Sequence, residues 1–274
     1  MKQLIAKICD NLCFDKIFLL TENLSLLEKV KYTFRKYLTI IFGRKEIVYL
    51  GKVFKFDNSF TPVLLQSYPH EIGTLDREIN LNTIHSVLDI GANIGQWSFT
   101  LKSLFSHLNV ISLEPNPKVF PLLRENAKGF SKWKCYNFGV GDGGRHKYIY
   151  YSGNGSSEAS IYNKISTNNK KKDKIVPVRL VVLNNGKIGG TQIPNSFDLV
   201  KIDTEGSELE VLHSISKLHF KYLEVEVSLK RNRGVTVKDV KNFFKRHTRF
   251  QPKLLHLDIF NSNSPVADAI FSLT

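Results

Sequence analysis

The chain has few cysteines and no long uninterrupted hydrophobic run near its N-terminus. Its three cysteines, Cys9, Cys13 and Cys135, cannot supply four thiolates to a structural zinc site, and one must stay unpaired within the chain. Such sparse cysteine usage is typical of a reducing compartment. The apolar stretch from Leu4 to Leu20 is interrupted by charged residues, which argues against a signal peptide and a membrane span there. We therefore expect a cytoplasmic protein, or one peripheral to the inner face of the membrane.

Acidic residues are also in short supply. Lys and Arg number 39 against 25 Asp and Glu, which gives a formal charge of +14. This excess favours an anionic partner such as nucleic acid, a membrane surface, or an acidic glycan or nucleotide-linked substrate. The same excess would follow from a genome biased toward A and T codons, since Lys and Asn are both abundant. At 274 residues with 42% hydrophobic composition, the chain can bury a substantial core, which excludes a disordered protein.

A basic amphipathic helix is predicted between Glu22 and Phe42. Its apolar residues recur at three- and four-residue steps, the period of a helix. From Lys29 to Lys55 the segment carries eight basic residues against one acid, Glu46, so it could contact an anionic membrane surface or a glycolipid. A solvated helix face is the alternative. The apolar residues are Leu27, Val30, Phe34, Leu38 and Ile41.

The remaining pattern predicts an α/β fold. Residues 1–80 form an extension with helix and two short strands, Ile47 to Leu50 and Lys52 to Phe56, followed by a polar segment to about Asn82. Residues 81–274 alternate strands and helices, which indicates a mostly parallel, Rossmann-like sheet. An inserted hairpin is expected around residues 143–196, with the run Lys170 to Lys172 at its tip. Two last strands, Leu254 to Phe260 and Val266 to Ser272, suggest an antiparallel closing pair.

The segment from Val87 to Gly95 predicts a ligand-binding turn between a strand and a helix. Gly91 and Gly95 have no side chains where a bound cofactor would press against the backbone, and the following helix presents free N–H groups. The glycine spacing does not match a dinucleotide fingerprint, and Asp89 would repel a pyrophosphate. An acid at this place suits a cationic cofactor, and S-adenosylmethionine carries a sulfonium and an ammonium group.

Acids also follow the next two predicted strands. Glu114 ends the second strand, where a carboxylate can accept both ribose hydroxyls of a nucleoside. Gly141 and Asp142 follow the third strand, where they would meet the adenine amino group. Because the carboxyl ends of parallel strands share one edge of the sheet, these residues predict a single cofactor site together with Asp89.

Three motifs resemble the FkbM family of S-adenosylmethionine-dependent methyltransferases. They read VLDIGANIG at Val87–Gly95, LEPN at Leu113–Asn116 and DLVKIDTEGSE at Asp198–Glu208. The resemblance covers roughly Lys52 to the C-terminus and implies a Rossmann-like class I methyltransferase fold that methylates hydroxyls of sugars, glycolipids or polyketides. It also implies roles for the motif residues. The methionine moiety would be held by Asp89, Gly91, Ala92, Asn93 and Gly95, the ribose by Glu114 and the adenine by Asp142.

Methyl transfer to an alcohol needs alignment of the reactants and a base for the hydroxyl proton. Asp203 and Glu205 follow the fourth strand and face the same crevice, so they are the candidate catalytic residues. His70 and Glu71 could reach the crevice from the N-terminal segment. A role for Asp203 in positioning alone is equally consistent with the sequence. Two carboxylates do not define a metal site, and no metal is expected.

Two other functions remain open at this point. A nucleic-acid methyltransferase would suit the positive charge, but the N/D-P-P-aromatic loop typical of base amino methylation is replaced by Asp203-Thr204-Glu205-Gly206. No cysteine follows a proline, which argues against a cytosine C5 enzyme. Acids in the acceptor crevice would also repel a phosphate backbone. The other function is a non-catalytic protein that binds S-adenosylmethionine.

Overall fold

The computed structural model describes residues 14–22, 24–58, 60–143, 147–151, 174–183, 187–188, 191–230, 234–259 and 264–273. In these ranges the helices are α1 (residues 14–20), α2 (Leu26–Ile41), α3 (Thr61–Leu64), α4 (Tyr68–Ile79), α5 (Gln96–Leu104), α6 (Phe120–Ala127), α7 (Glu208–Ser214) and α8 (Val237–His247). The strands are β1 (Glu46–Tyr49), β2 (Lys52–Lys55), β3 (Ser86–Ile90), β4 (Asn109–Leu113), β5 (Trp133–Tyr136), β6 (Gly139–Val140), β7 (Lys147–Tyr151), β8 (Lys174–Val178), β9 (Leu180–Val181), β10 (Lys187–Ile188), β11 (Thr191–Gln192), β12 (Ser196–Ile202), β13 (His219–Ser228), β14 (Pro252–Asp258) and β15 (Val266–Leu273).

A seven-stranded sheet in the order β14-β15-β13-β12-β3-β4-β5 organises the fold. Strands β13, β12, β3, β4 and β5 run parallel, whereas β15 pairs antiparallel with both β13 and β14. The strands that lie within the sheet are rich in buried aliphatic residues, as expected when helices cover both faces. The predicted Rossmann-like sheet with an antiparallel closing pair is confirmed.

The sheet has a switch point between β3 and β12. From β3 the chain builds outward through α5, β4, α6 and β5, and it later returns to β12 on the other side of β3. The loops that leave β3 and β12 at their carboxyl ends therefore diverge and leave a crevice between them. Ligands in open α/β sheets bind at this place, so the topology alone selects the edge on which to look for a site.

The segment predicted to be polar, up to about Asn82, contains helices α3 and α4. Pro62 and Pro69 stand in the first turns of these helices, where a missing N–H costs nothing. Ile72, Leu75 and Ile79 follow at three- and four-residue steps and are buried in the same cluster as the first strands of the sheet. These two helices were not predicted, because their apolar period is interleaved with charged residues.

Helix α2 forms as predicted, with a capping box between Ser25 and Glu28, but the face it buries is polar. Its inward residues include Tyr32 and Lys36, while Phe34 and Ile41 of the predicted apolar face are 65% and 72% exposed. Among the described residues, no helix is both long and apolar enough to cross a membrane.

The region between the third and fourth parallel strands is described only in part. Strand β7 pairs antiparallel with β8, as expected for the inserted hairpin, and β10 pairs antiparallel with β11. Strands β6 and β9 form a separate parallel pair. The run Lys170 to Lys172 lies outside the described residues.

Candidate functional site

A cavity of about 270 Å³ lies at the carboxyl ends of β3, β4 and β12. The turn after β3, the end of β4 and the loop after β12 all contribute to its lining. Seven of the residues predicted from the sequence share this lining, and they include both cofactor-binding and catalytic candidates: Asp89, Gly91, Ala92, Asn93, Glu114, Asp203 and Glu205. The switch point of the sheet thus brings together residues that are more than one hundred positions apart.

The turn after β3 is shaped by close backbone packing at Gly91. Its φ is +89°, and its N–H donates to the carbonyl oxygen of Leu113 over 3.0 Å. A Cβ added at Gly91 would lie 1.8 Å from the backbone oxygen of Asp203. Only glycine therefore fits between the ends of β3 and β12. This contact holds the loop that carries Asp203 beside the turn after β3.

Gly95, the other glycine predicted to bind the cofactor, packs closely against neighbouring side chains. It caps the start of α5 with a φ of +92° and does not contribute to the cavity lining. An added Cβ would lie 2.8 Å from Cδ1 of Leu123 and 3.1 Å from the ring of Trp133. The structure thus gives Gly95 a packing role, since it lets α5 approach α6 and β5 closely.

The residues after β5 that reach the cavity are Gly139 and Val140, two positions before the predicted pair. Gly141 packs against Leu180, and its carbonyl oxygen accepts a hydrogen bond from Ser214, whereas Asp142 is exposed. Sequence reasoning missed this shift because β5 ends early, at Tyr136. The close approach of Gly139 to Pro115 depends on tertiary packing, so a local sequence pattern does not predict it.

Glu114 presents a buried carboxylate between two loops. Its Oε2 accepts from the N–H of Asn93 over 2.8 Å, and its Oε1 accepts from the N–H of Asn116 over 2.7 Å. Burial raises the pKa of Glu114 to about 7, although these two backbone donors oppose the shift. Each carboxylate oxygen can accept a second hydrogen bond, so the group can bind a pair of hydroxyls.

Asp89 is 1% exposed and only half of its carboxylate is satisfied. Its Oδ2 accepts from Ser98 over 2.6 Å and from Ser112 over 3.1 Å. Its Oδ1 is buried and has no hydrogen-bond partner among the described residues, and the same is true of Nε1 of Trp97. Both residues line the cavity. Burial raises the pKa of Asp89, because the ionised carboxylate loses its hydration. A bound cation would stabilise the ionised form and offset this desolvation cost.

A buried lysine, Lys201, holds the Asp203 carboxylate. Its Nζ donates to Oδ2 of Asp203 over 2.8 Å and lies 5.7 Å from the centre of the Trp97 ring. Burial would lower the pKa of Lys201, but Asp203 and Asp89, together with Glu71 and Glu224, raise it well above its ordinary value. The ammonium is therefore charged, and it fixes one oxygen of Asp203 while the 39% exposed side chain remains accessible from the cavity.

The other acids of the DTEGSE segment divide into two roles. Glu205 lines the cavity from a left-handed backbone conformation with a φ of +55°. Glu208 instead turns back, since its Oε1 accepts from the N–H of Gly206 over 2.8 Å and from Oγ1 of Thr204 over 3.1 Å. Glu208 thus stabilises the loop. Within this segment, Asp203 and Glu205 are the acids that line the cavity.

The two candidates from the N-terminal segment, Glu71 and His70, lie in different parts of the molecule. Glu71 in α4 interacts with Lys201 and Asp203, and its burial and the acids Asp268 and Glu224 raise its pKa well above the ordinary value. His70 lies beside a smaller cavity, with Nε2 4.0 Å from Oδ1 of Asp258. Leu64 and Tyr68 line the main cavity, which the sequence did not suggest because it did not predict α3 and α4.

The described residues contain no group of three or more His, Cys, Asp or Glu side chains arranged to hold a metal ion. The chemical groups of the main cavity are instead suited to an organic ligand that combines positive charge with hydroxyl groups. Asp89 supplies a buried acceptor oxygen for a cation, and Glu114 supplies acceptors for hydroxyl groups.

Comparisons with known proteins agree with this geometry. A family model described as "Methyltransferase FkbM domain" matches residues 89–251. Methyltransferase 1 of Beauveria bassiana is 22% identical over 163 residues, which cover 54% of this chain and 66% of that protein. The chain thus spans just under two thirds of this relative's length.

One solved structure shares the fold at low sequence identity, and a second is reported beside it. TYW2 of P. horikoshii, solved in complex with MeSAdo, is 14% identical with a TM-score of 0.50, over 90% of this chain and 83% of that one. TYW2 of M. jannaschii, solved in complex with AdoMet, is 13% identical with a TM-score of 0.48, over 84% of this chain and 86% of that one.

Proposed function

The chain belongs to the FkbM methyltransferase family, and we propose that it transfers the methyl group of S-adenosylmethionine to a hydroxyl of a sugar, glycolipid or similar small acceptor. The observation that carries the proposal is the pair of buried carboxylates, Asp89 and Glu114, at adjacent strand ends in one cavity that Asp203 also lines. The first two suit a cationic nucleoside, and Asp203 suits an acceptor.

The residues of the cavity fit the cofactor in chemical type. Asp89 has a buried oxygen without a partner among the described residues, where a cation would be stabilised. Glu114 would accept from the ribose hydroxyls through oxygens already oriented by the N–H groups of Asn93 and Asn116. Gly139 and Val140 line the cavity beyond β5 and would contact the adenine. When bound, S-adenosylmethionine supplies a methyl group activated by a sulfonium.

Asp203 is the residue of the cavity that would interact with the acceptor hydroxyl. A hydroxyl that accepts a methyl group must also lose its proton, and the Asp203 carboxylate would accept that proton. Lys201 fixes this carboxylate through Oδ2, which restricts the direction from which a hydroxyl can approach. Glu205, in the same loop, would contact the remainder of the acceptor.

A labelled-methyl assay on paired variants tests the proposal. Asp203→Asn should leave binding of S-adenosylhomocysteine unchanged and lower methyl transfer by about 10²- to 10⁴-fold, as loss of a general base does. The matched control is Asp57→Asn, because Asp57 is exposed and lies outside the cavity lining. Unchanged transfer in Asp203→Asn would remove Asp203 as the base.

The choice of acceptors separates the competing functions. Sugars and glycolipids should be labelled, and tRNA and DNA should not, because Asp203 and Glu205 would repel phosphates. Labelling of nucleic acid alone would overturn the hydroxyl assignment in favour of a nucleic-acid methyltransferase. Binding of S-adenosylhomocysteine without turnover on any acceptor class would indicate a binding module.

A further inference from the structure

Helix α2 is oriented with its polar face toward the protein. The Nζ of Lys29 donates to the carbonyl oxygen of Leu19 over 2.8 Å, and Oη of Tyr32 donates to the carbonyl oxygen of Pro62 over 2.6 Å. Lys36 is completely buried and bonds Asp15. These specific polar contacts fix the rotation of the helix about its axis, and they therefore determine which face is turned outward.

The outward face carries a continuous apolar strip. Its members recur at three- and four-residue steps, so they lie along one side of the helix. Leu27 is 61% exposed, Val30 54% and Phe34 65%. Exposed apolar patches of this kind mark interaction surfaces. We call the following set the α2 strip: Leu27, Val30, Phe34, Tyr37 and Ile41.

Positive charge borders the α2 strip. Lys31 and Arg35 are exposed and stand four residues apart, next to the strip on the same helix. Arg44 and Lys45 follow the C-terminal end of the helix and are exposed as well. The one acid in the first turn, Glu28, is held by the N–H and hydroxyl of Ser25. Exposed basic residues therefore flank the apolar side chains of the α2 strip.

We infer that the α2 strip binds the surface of an anionic phospholipid bilayer. An interfacial helix lies in the membrane plane with its apolar face among the acyl chains and its basic residues at the headgroups, and the α2 strip with Lys31 and Arg35 has this arrangement. A second copy of the chain is a poorer occupant, because a two-fold interface on this face would bring the same cations close together.

One short helix, α3, contacts both α2 and the cavity. Tyr32 on the inward face of α2 bonds the carbonyl oxygen of Pro62 in α3, and Leu64 of the same helix lines the cavity. If the proposed hydroxyl methyl transfer is correct, binding of the α2 strip to a bilayer favours an acceptor attached to a lipid. The binding itself does not depend on that reaction.

Vesicle flotation with the full chain tests the inference. The probes are vesicles of phosphatidylcholine alone and of phosphatidylcholine mixed with phosphatidylglycerol, and only the mixed vesicles should carry the protein. Phe34→Gln should weaken binding to them at least about tenfold, since a large apolar group no longer enters the bilayer. Lys31→Gln with Arg35→Gln should weaken it about thirtyfold through loss of two cations.

Leu229→Gln is the matched control, because Leu229 is 41% exposed on another part of the molecule and its loss should leave flotation unchanged. Circular dichroism and binding of S-adenosylhomocysteine establish that each variant is folded, independently of any methyl transfer. Absence of flotation on mixed vesicles would overturn the inference. Equal binding of the Phe34→Gln variant would also overturn it, as would a dimer in light scattering that this substitution dissociates.

Discussion

The protein buries two lysines in different settings, and the difference separates a structural ion pair from a ligand site. Lys36 lies beneath α2, bonding Oδ1 of Asp15 over 2.5 Å and Oε1 of Gln66 over 3.0 Å. Gln66 and Tyr37 complete the hydrogen bonds of Asp15. Lys201 lies beneath the cavity and bonds Asp203, but Asp89 and Glu224 also surround it.

The pKa values of the two lysines move in opposite directions. Burial lowers the pKa of Lys36, and the single anion Asp15 offsets this only in part. The several acids around Lys201 raise its pKa despite burial. Around Lys36 the charges balance, whereas around Lys201 acids are in excess, and oxygens of Asp89 and Glu224 have no hydrogen-bond partner among the described residues. The comparison teaches that unbalanced buried charge marks the place where a cationic ligand completes the structure.

The largest effect is expected from a glycine substitution in the cavity. Gly91→Ala should lower the free energy of unfolding by about 4 kcal/mol, because the left-handed backbone and the contact with the Asp203 carbonyl oxygen both oppose a side chain. Gly51→Ala in the β1–β2 turn is the control, with a φ of +77° and open space around it, and should cost about 1 kcal/mol. Denaturant unfolding measures both, and equal losses would contradict the close packing at Gly91.

The next effect concerns the cavity lysine. Lys201→Met should lower the free energy of unfolding by about 3 kcal/mol, because it leaves the buried acids Asp89 and Glu224 without a cation. It should also weaken binding of S-adenosylhomocysteine, since loss of the ammonium raises the pKa of the buried Asp89 further and favours its neutral form. Calorimetric titration alongside urea unfolding checks both results. A stable variant with unchanged affinity would show that the acids do not depend on Lys201.

The corresponding change beneath α2 should be smaller and should affect stability alone. Lys36→Met should cost about 2 kcal/mol, because Asp15 is 14% exposed and keeps the donors Gln66 and Tyr37. Affinity for S-adenosylhomocysteine should not change. Any loss of affinity comparable to that in Lys201→Met would mean that the two buried lysines are not functionally separate.

The cavity acids could be predicted from the sequence because they depend on local order. Asp89 is the penultimate residue of a strand, Glu114 and Asp203 each follow a strand, and parallel strands place their carboxyl ends on one edge. The position of Lys201 in the sequence also indicates a buried ion pair at this site. Lys201 is a charged residue among the aliphatic residues Leu199, Val200 and Ile202, and it lies two positions before Asp203, on the same side of the strand.

The orientation of α2 and the contribution of Tyr68 could not be predicted in the same way. A helical period fixes which residues share a face but leaves open which face meets the core. That choice is made by Asp15, Gln66 and the carbonyl of Pro62, whose contacts with α2 depend on tertiary packing. Tyr68 reaches the cavity through the same packing of the N-terminal helices.

The smallest expected effect is a pH dependence carried by Glu114. Its pKa in the ligand-free protein is about 7, raised by burial from 4.5. Hydroxyl donors prefer the ionised carboxylate, so affinity for S-adenosylhomocysteine should be full above pH 7 and about tenfold weaker at pH 6 than at pH 8. The sign for folding is opposite, because a raised carboxyl pKa makes this group favour the folded protein more as the pH falls from 7 to 4.5. Calorimetric titration from pH 6 to 8 measures the affinity, and Glu114→Gln should bind more weakly and lose the slope. A slope that persists in Glu114→Gln would assign it to another cavity acid, with Asp89 as the first to test.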